Sequence, residues 1–266
     1  MNSDSDNNCS QNRITTALLL AAGIGSRLSP LTQNSPKCLT LVNDKSILER
    51  LINNLKNQGF ERLVIVTGHK KECIMDYLGE KSGDICIEYV YSPLYKTTNN
   101  IYSLWMARNI INEPFVLFEN DLVLKSTLLD NMVYPDRIAV ALMQPWLNGT
   151  TVSLDKANNV TRFQIGTTES YSGIRYKTVN IYSFSLPSWQ AIVKRLNQYI
   201  EAGHVNCYYE TVFSEMVDNQ TLAFKSVSFD HKPWYEIDTI QDLAKAELLF
   251  PKELKKVAMY ENAMAS

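Results

Sequence analysis

"LLLAAGIGSRLSPLTQNSPKCL", residues 18–39, is the stretch on which the reading of the chain turns. An apolar run gives way to small residues and glycines, then to Arg27 and, further on, Lys37. A short apolar run that stops at glycine fits a parallel strand covered on both faces. In a doubly wound sheet the loop after such a strand is where ligands bind. Ala21, Ala22, Gly23, Gly25 and Ser26 keep side chains small where an anion would approach backbone N–H groups. Arg27 and Lys37 add full charge, and Lys37 reads as a loop residue that supplies charge rather than packing. The spacing is not the dinucleotide fingerprint, because Leu28 stands at the third glycine position, and no G-K-[ST] follows to make a Walker A loop.

Outward from this loop the pattern alternates. "SILERLINNLKNQG" predicts a helix with Ser46 as cap, Glu49 three residues on as in a capping box, and Gly59 at the end. "ERLVIVTG" predicts a strand, "KKECIMDYLG" a helix, "ICIEYVY" a strand, "NIYSLWMARNII" a helix and "PFVLFEND" a strand. Alternation of this kind implies parallel pairing with right-handed crossovers. After residue 136 the texture turns to shorter β runs, "RIAVALM", "TTVSLD", "NVTRFQI" and "YKTVNIYSFS". These read as an insertion that builds a pocket wall onto the first half's sheet. A helix near 187–202, another at "YYETVFSEMV", a strand at "LAFKSVSF" and a helix over 239–249 follow. The first 13 residues read as a disordered tail, 14–250 as one domain, and 251–266 as a helical tail or linker.

Composition narrows the function. The chain has 266 residues, 45% hydrophobic and 20% charged, enough to bury a sizeable core. A net charge of −2 offers no global basic field for nucleic acid or an anionic membrane, so an anion site must be local. Five cysteines without a C-x-x-C pair suggest neither a disulfide framework nor a zinc site and fit a reducing compartment. No secretory leader or spanning run is visible, and a cytoplasmic location is expected.

The whole pattern A-A-G-x-G-S-R-L-x-P-L-T-x-x-x-P-K-C-L resembles the signature of nucleotidyltransferases that condense a nucleoside triphosphate with a sugar phosphate or a small alcohol phosphate and release pyrophosphate. The resemblance spans roughly residues 15–249 and implies a Rossmann-like α/β three-layer sandwich, its mixed sheet mostly parallel, with a β-rich acceptor-binding insertion in the second half. It also implies that Arg27 binds the triphosphate, that Lys37 neutralises charge near the reacting phosphates, and that Gly68 lies with the glycine loop at the nucleotide. Such charge compensation is what phosphoryl transfer chiefly requires. "TTNNIYSLWMAR" is similar to the segment of cytidylyltransferases acting on phosphocholine and related phosphates, which places Asn99, Asn100 and Ser103 at the base. Amide and hydroxyl groups can meet both donor and acceptor atoms of cytosine. The family holds Mg²⁺ with aspartates at two places matched here by Asp121, in "FENDLVL", and Asp238, in "WYEIDTIQDL". A lone Asp before a helix is by itself equally an N-cap.

Aromatic residues and acids in the second half suit a small cationic acceptor: Trp146, Tyr208 and Tyr209 beside Glu210, with Asn180 and Glu236 as polar partners. Tyr176, Tyr182 and Trp234 belong to the same aromatic set and serve equally as core. "YKTVNIYSFS" and "NCYYETVF" resemble the cytidylyltransferase halves of two-domain proteins whose other half is an aminotransferase. That likeness implies a primary amine, hence CTP and 2-aminoethylphosphonate as substrates, and an aminotransferase domain fused to or following this one. Phosphocholine is the alternative acceptor, followed by a uridylyl- or guanylyltransferase of sugar phosphates, which the Asn-Asn segment argues against. From another class, a catalytically inactive nucleotide-binding module is opposed by the joint presence of Arg27, Lys37, Asp121 and Asp238.

Overall fold

A computed structural model describes residues 13–166 and 173–252. The tails expected over 1–13 and 251–266 lie outside the described residues except for Arg13, Pro251 and Lys252. In chain order the elements are β1 (Thr16–Ala21), β2 (Leu41–Val42), β3 (Lys45–Ser46), α1 (Ile47–Asn57), β4 (Arg62–Thr67), α2 (Lys71–Leu78), β5 (Lys81–Ser82), β6 (Ile85–Tyr91), α3 (Asn100–Met106) and β7 (Phe115–Glu119). They continue with β8 (Leu122–Leu124), β9 (Arg137–Leu142), β10 (Thr151–Leu154), β11 (Val160–Gln164), β12 (Tyr176–Phe184), α4 (Leu186–Glu201), α5 (Tyr209–Asp218), β13 (Lys225–Ser228), β14 (Trp234–Glu236) and α6 (Ile240–Leu249).

Ten strands form the main sheet, with β1 between β4 and β7, all three parallel. The chain first steps outward through β4 and β6, then returns to place β7 on the other side of β1. The carboxyl ends of β1 and β7 therefore flank the reversal of strand order, where open α/β sheets form their crevice. Strand β12 pairs antiparallel with β7 and carries β9 and β10, so the second half extends the same sheet as expected.

Each face of the sheet buries one set of side chains, which is why the central strands read as unbroken apolar runs. Leu19, Ile65 and Phe118 pack with Leu51 and Leu55 of α1 and Ile74 of α2. Leu18, Val64 and Leu117 pack on the other side with Leu104 of α3, Ile192 of α4 and Phe213 of α5. A third, smaller core joins Leu28, Val42, Val123, Ile237 and Ala246 under the loops at the crevice.

Local chemistry sets several boundaries. Ser46 caps α1 by accepting from Glu49 N at 3.0 Å, which is half of the expected capping box. The box with both bonds present belongs to α6, where Thr239 and Asp242 cap each other reciprocally. The expected helix over 100–111 stops at Met106 and tightens into a 3-10 turn, Ala107–Asn109. Strand β12 bulges at Asn180, which takes a left-handed φ of 57° where the register against β9 shifts. Asparagine tolerates that conformation, and bulges re-aim side chains beside sites. Among the described residues no helix is long and apolar enough to cross a membrane.

Candidate active site

Two 3-10 turns, Ser26–Leu28 and Lys37–Leu39, carry the two cations of the opening loop. Gly25, just before the first turn, has φ 68°, and a Cβ there would lie 3.1 Å from Lys37 Cβ and 3.2 Å from Thr32 Cγ2. Only glycine combines that backbone with that closeness. Gly68, at the end of β4, packs still tighter, since a Cβ would fall 2.6 Å from the Ala22 carbonyl oxygen. That carbonyl accepts from His69 N at 3.0 Å and ties the β1 and β4 loops together. Ala21 and Ala22 are buried, while Gly23 and Ser26 are exposed on the loop.

Lys37 is not a solvated loop cation. Its side chain is only 7% exposed, and Nζ donates to Asp121 Oδ2 at 2.9 Å and to Asp238 Oδ1 at 2.8 Å. Burial would depress its pKa, but the charges of Asp121 and Asp238 and their hydrogen bonds outweigh burial and leave it raised. Arg27 Nη2 reaches the same Asp238 oxygen at 2.7 Å from an exposed position. Asp121 follows the end of β7, and Asp238 follows β14, which pairs antiparallel with β8; Ile237 N also donates to the Asp121 carbonyl at 2.9 Å. Thr239, not Asp238, caps α6, so the Asp238 carboxylate is available to the site.

A cavity of about 360 Å³ opens from this cluster. Glu119, Asp121, Glu210, Glu236 and Asp238 all line it, against the cations Arg27 and Lys177. Burial first, then the charges of Asp121 and Glu210, holds the Glu119 carboxyl well above the usual range. Burial pushes Glu210 up to about 7. Glu236 is raised too, by burial and then by Asp121 and Asp238, with Lys177 opposing. Two buried carboxylate oxygens, Asp121 Oδ1 and Glu210 Oε2, have no hydrogen-bond partner. Orphaned acceptors of that kind are costly unless something else meets them.

The residues expected at the acceptor divide. Asn180, Tyr208, Glu210 and Glu236 line the cavity. Both oxygens of Glu236 are engaged within the protein, Oε1 by Asn180 Nδ2 at 3.3 Å and Oε2 by Lys177 Nζ at 3.2 Å. Tyr209 is core: fully buried, its ring stands edge-on to Tyr182 at 5.8 Å. Trp146, 68% exposed, lines a smaller recess of about 100 Å³ with Trp234.

The residues expected at the base fall on α3 and its cap. Asn100 lines the acidic cavity, its Oδ1 accepting from Tyr209 N at 3.0 Å and its Nδ2 donating to Glu119 at 3.3 Å, so both ends of its amide are taken. Asn99 caps α3, and Ser103 is buried on it. A separate cavity of about 410 Å³ opens beyond β4 and β6 among Ile24, Gly68, Lys70, Tyr91, Tyr95 and Lys96. Sequence reasoning missed Lys177 and the placement of Glu119. The one available signal was a lysine near the start of the β run that becomes β12.

Among the described residues no group of three or more His, Cys, Asp and Glu is arranged to hold a metal. Mg²⁺ commonly takes only one or two carboxylates with waters and phosphates completing its shell. The unpartnered Asp121 Oδ1 beside Asp238 fits that need.

The nucleotidyl transferase family model matches residues 16–163. The chain is 30% identical to the CMP-5'-(3-aminopropyl)phosphonate synthase of Streptomyces rubellomurinus over 91% of its own length, and spans 40% of that synthase. It is 27% identical to the 2-aminoethylphosphonate cytidylyltransferase of Lancefieldella rimae, covering 86% of this chain and 91% of that one. The solved structure of CTP:phosphocholine cytidylyltransferase from Streptococcus pneumoniae superposes with a TM-score of 0.77 at 26% identity, over 90% of this chain and 100% of that one.

Proposed function

Because this chain belongs to the nucleotidyl transferase family, we propose that it is a cytidylyltransferase that joins CTP to a small aminoalkyl phosphonate, 2-aminoethylphosphonate being the best fit, and releases pyrophosphate. The cytidylyl choice follows the relatives, two of which are named for aminoalkylphosphonates. The nucleoside would lie in the cavity beside Gly68 and Tyr95, with the triphosphate across the β1 loop. Arg27 would leave Asp238 for the phosphates, since it is exposed and held by a single carboxylate contact. Lys37 stays at the reacting phosphate, where a preorganised charge stabilises the transition state more than the ground state. Asp121 and Asp238 would hold Mg²⁺, which supplies charge neutralisation on the phosphates when bound. No side-chain nucleophile is required, because an acceptor oxygen aligned with the α-phosphorus attacks directly.

The observation that carries the acceptor class is the orphaned Glu210 Oε2 in a cavity lined by five carboxylates and one aromatic ring, Tyr208. A primary ammonium brings three donors to such acceptors, whereas a trimethylammonium brings none and is held by aromatic faces. The neighbouring recess with Trp146 and Trp234 is the feature that favours phosphocholine instead. Leaving Glu210 buried and unmet costs ~1–3 kcal/mol, so kcat/KM for 2-aminoethylphosphonate is expected to exceed that for phosphocholine by roughly ten- to a hundredfold. Competition between the two acceptors at limiting CTP, with pyrophosphate release followed, measures this. Equal use of phosphocholine would overturn the primary amine, and faster release with UTP or GTP would overturn the cytidylyl assignment.

A further inference from the structure

Lys177 is the second residue of β12, 2% exposed, and it lines both the acidic cavity and the smaller recess. Its Nζ donates to the Thr178 carbonyl at 2.6 Å and pairs with Glu236 Oε2 at 3.2 Å. An ammonium has three donors, so among the described residues one remains unspent. Burying such a group is costly, and an apolar residue of similar volume commonly serves a fold as well. The chain around it is shaped to admit it. Gly149, at φ 100°, passes so close that a Cβ there would stand 3.3 Å from both Lys177 Cε and Nζ. Thr150 then fastens this loop to β12, its carbonyl accepting from Thr178 N at 3.0 Å.

The charges of the cavity give this lysine a task. A phosphonate or phosphate acceptor arrives as an anion facing five carboxylates. Arg27 and Lys37 both contact Asp238 and are assigned above to the triphosphate, whereas Lys177 contacts neither Asp121 nor Asp238 among the described residues. Glu236 is then the residue that aims Lys177, with Asn180 at the β12 bulge steadying Glu236 from its other oxygen.

We propose that Lys177 anchors the acceptor by donating to an oxygen of its phosphonate or phosphate group, while Glu210 takes the ammonium. The cavity then selects a zwitterion, an oxyanion and an ammonium joined by a short chain. This rests on the acceptor class argued above, but not on which nucleotide is used.

Direct binding to the full chain without nucleotide isolates the anchor, with ethylphosphonate as the probe that carries the oxyanion alone and 2-aminoethylphosphonate as the probe that carries both groups. Lys177→Gln is expected to weaken both at least tenfold while leaving CTP affinity within about twofold, since one lost hydrogen bond to a charged group is of that size. Glu210→Gln is expected to weaken only the amine-bearing probe. Gly149→Ala keeps the lysine but crowds it, and is expected to weaken ethylphosphonate several-fold; it carries the test if Lys177→Gln does not fold. Unchanged ethylphosphonate binding in folded Lys177→Gln, or in Gly149→Ala if the first variant is lost, would make Lys177 a purely structural residue and overturn the anchor alone. Failure of the wild-type chain to bind either probe would overturn the acceptor class and the anchor together.

Discussion

Lys37 is the residue on which the site's electrostatics balance. It lies between two carboxylates at hydrogen-bond distance, its side chain almost wholly buried. Removing one partner from a buried charge cluster strands the others, at ~3–5 kcal/mol. Lys37→Ala is therefore expected to lower the melting temperature as well as turnover, the latter by roughly a hundredfold or more. Divalent cation should restore part of the lost melting temperature, and more in the variant than in the wild type, because Asp121 and Asp238 then have no ammonium between them. Thermal melts with and without Mg²⁺ read this independently of activity; an equal response in both proteins would count against these aspartates as the metal site. The stability cost was not visible in sequence, where Lys37 stands in a polar, proline-rich stretch. Its burial follows from Asp121 and Asp238, 84 and 201 residues away.

At the scale of elements, Asp238 owes its position to the first turn of α6. Asp242 Oδ2 accepts from Thr239 N at 2.9 Å, from Thr239 Oγ1 at 2.7 Å and from Asp238 N at 3.3 Å. Asp242→Ala is expected to cost ~1 kcal/mol as a lost cap. It should also lower kcat, by about tenfold, because a misplaced group near the reacting atoms loses rate steeply. A lowered melting temperature with unchanged kcat would mean that Arg27 and Lys37 alone position Asp238. The elements that sequence made plain are those with their own pattern: β1, α1, β4, α2, β6, β7, α4, α5, α6 and the strands β9 to β13. Those it hid are the three-residue strands β8 and β14, too short to show a pattern, although they bring Asp121 and Asp238 together. The same distinction runs through the site. The β1 loop and both aspartates stand in local motifs, whereas Lys177 depends on Glu236, and Asn100 on Tyr209, across the fold. Nothing near Tyr209 in the chain tells its ring from that of Tyr208, yet one is core and the other lines the cavity.

For the molecule as a whole, the acidic cavity makes stability depend on pH. Glu210 rises from 4.5 to about 7 through burial, so the folded state holds its proton more tightly than the unfolded chain does. Its contribution is therefore lost as pH climbs from 4.5 through about 7 and is constant beyond either end. Burial raises Glu119 and Glu236 in the same direction. A shift of this size corresponds to ~3 kcal/mol. Glu210→Gln should thus gain melting temperature over the wild type at about pH 8 and little at about pH 5; an equal gain at both would show that Glu210 titrates normally. The ribbon of β8 and β14 has a further consequence, for synthesis. Lys37 leaves the ribosome 201 residues ahead of Asp238, an interval of roughly 10–40 s at 5–20 residues per second. Once Asp121 has followed, 84 residues behind Lys37, the nascent chain holds the glycine loop, Lys37 and Asp121 but still lacks the second carboxylate. If Asp238 has the role proposed for it, a chain released before β14 is expected to carry most of the sheet and none of the activity.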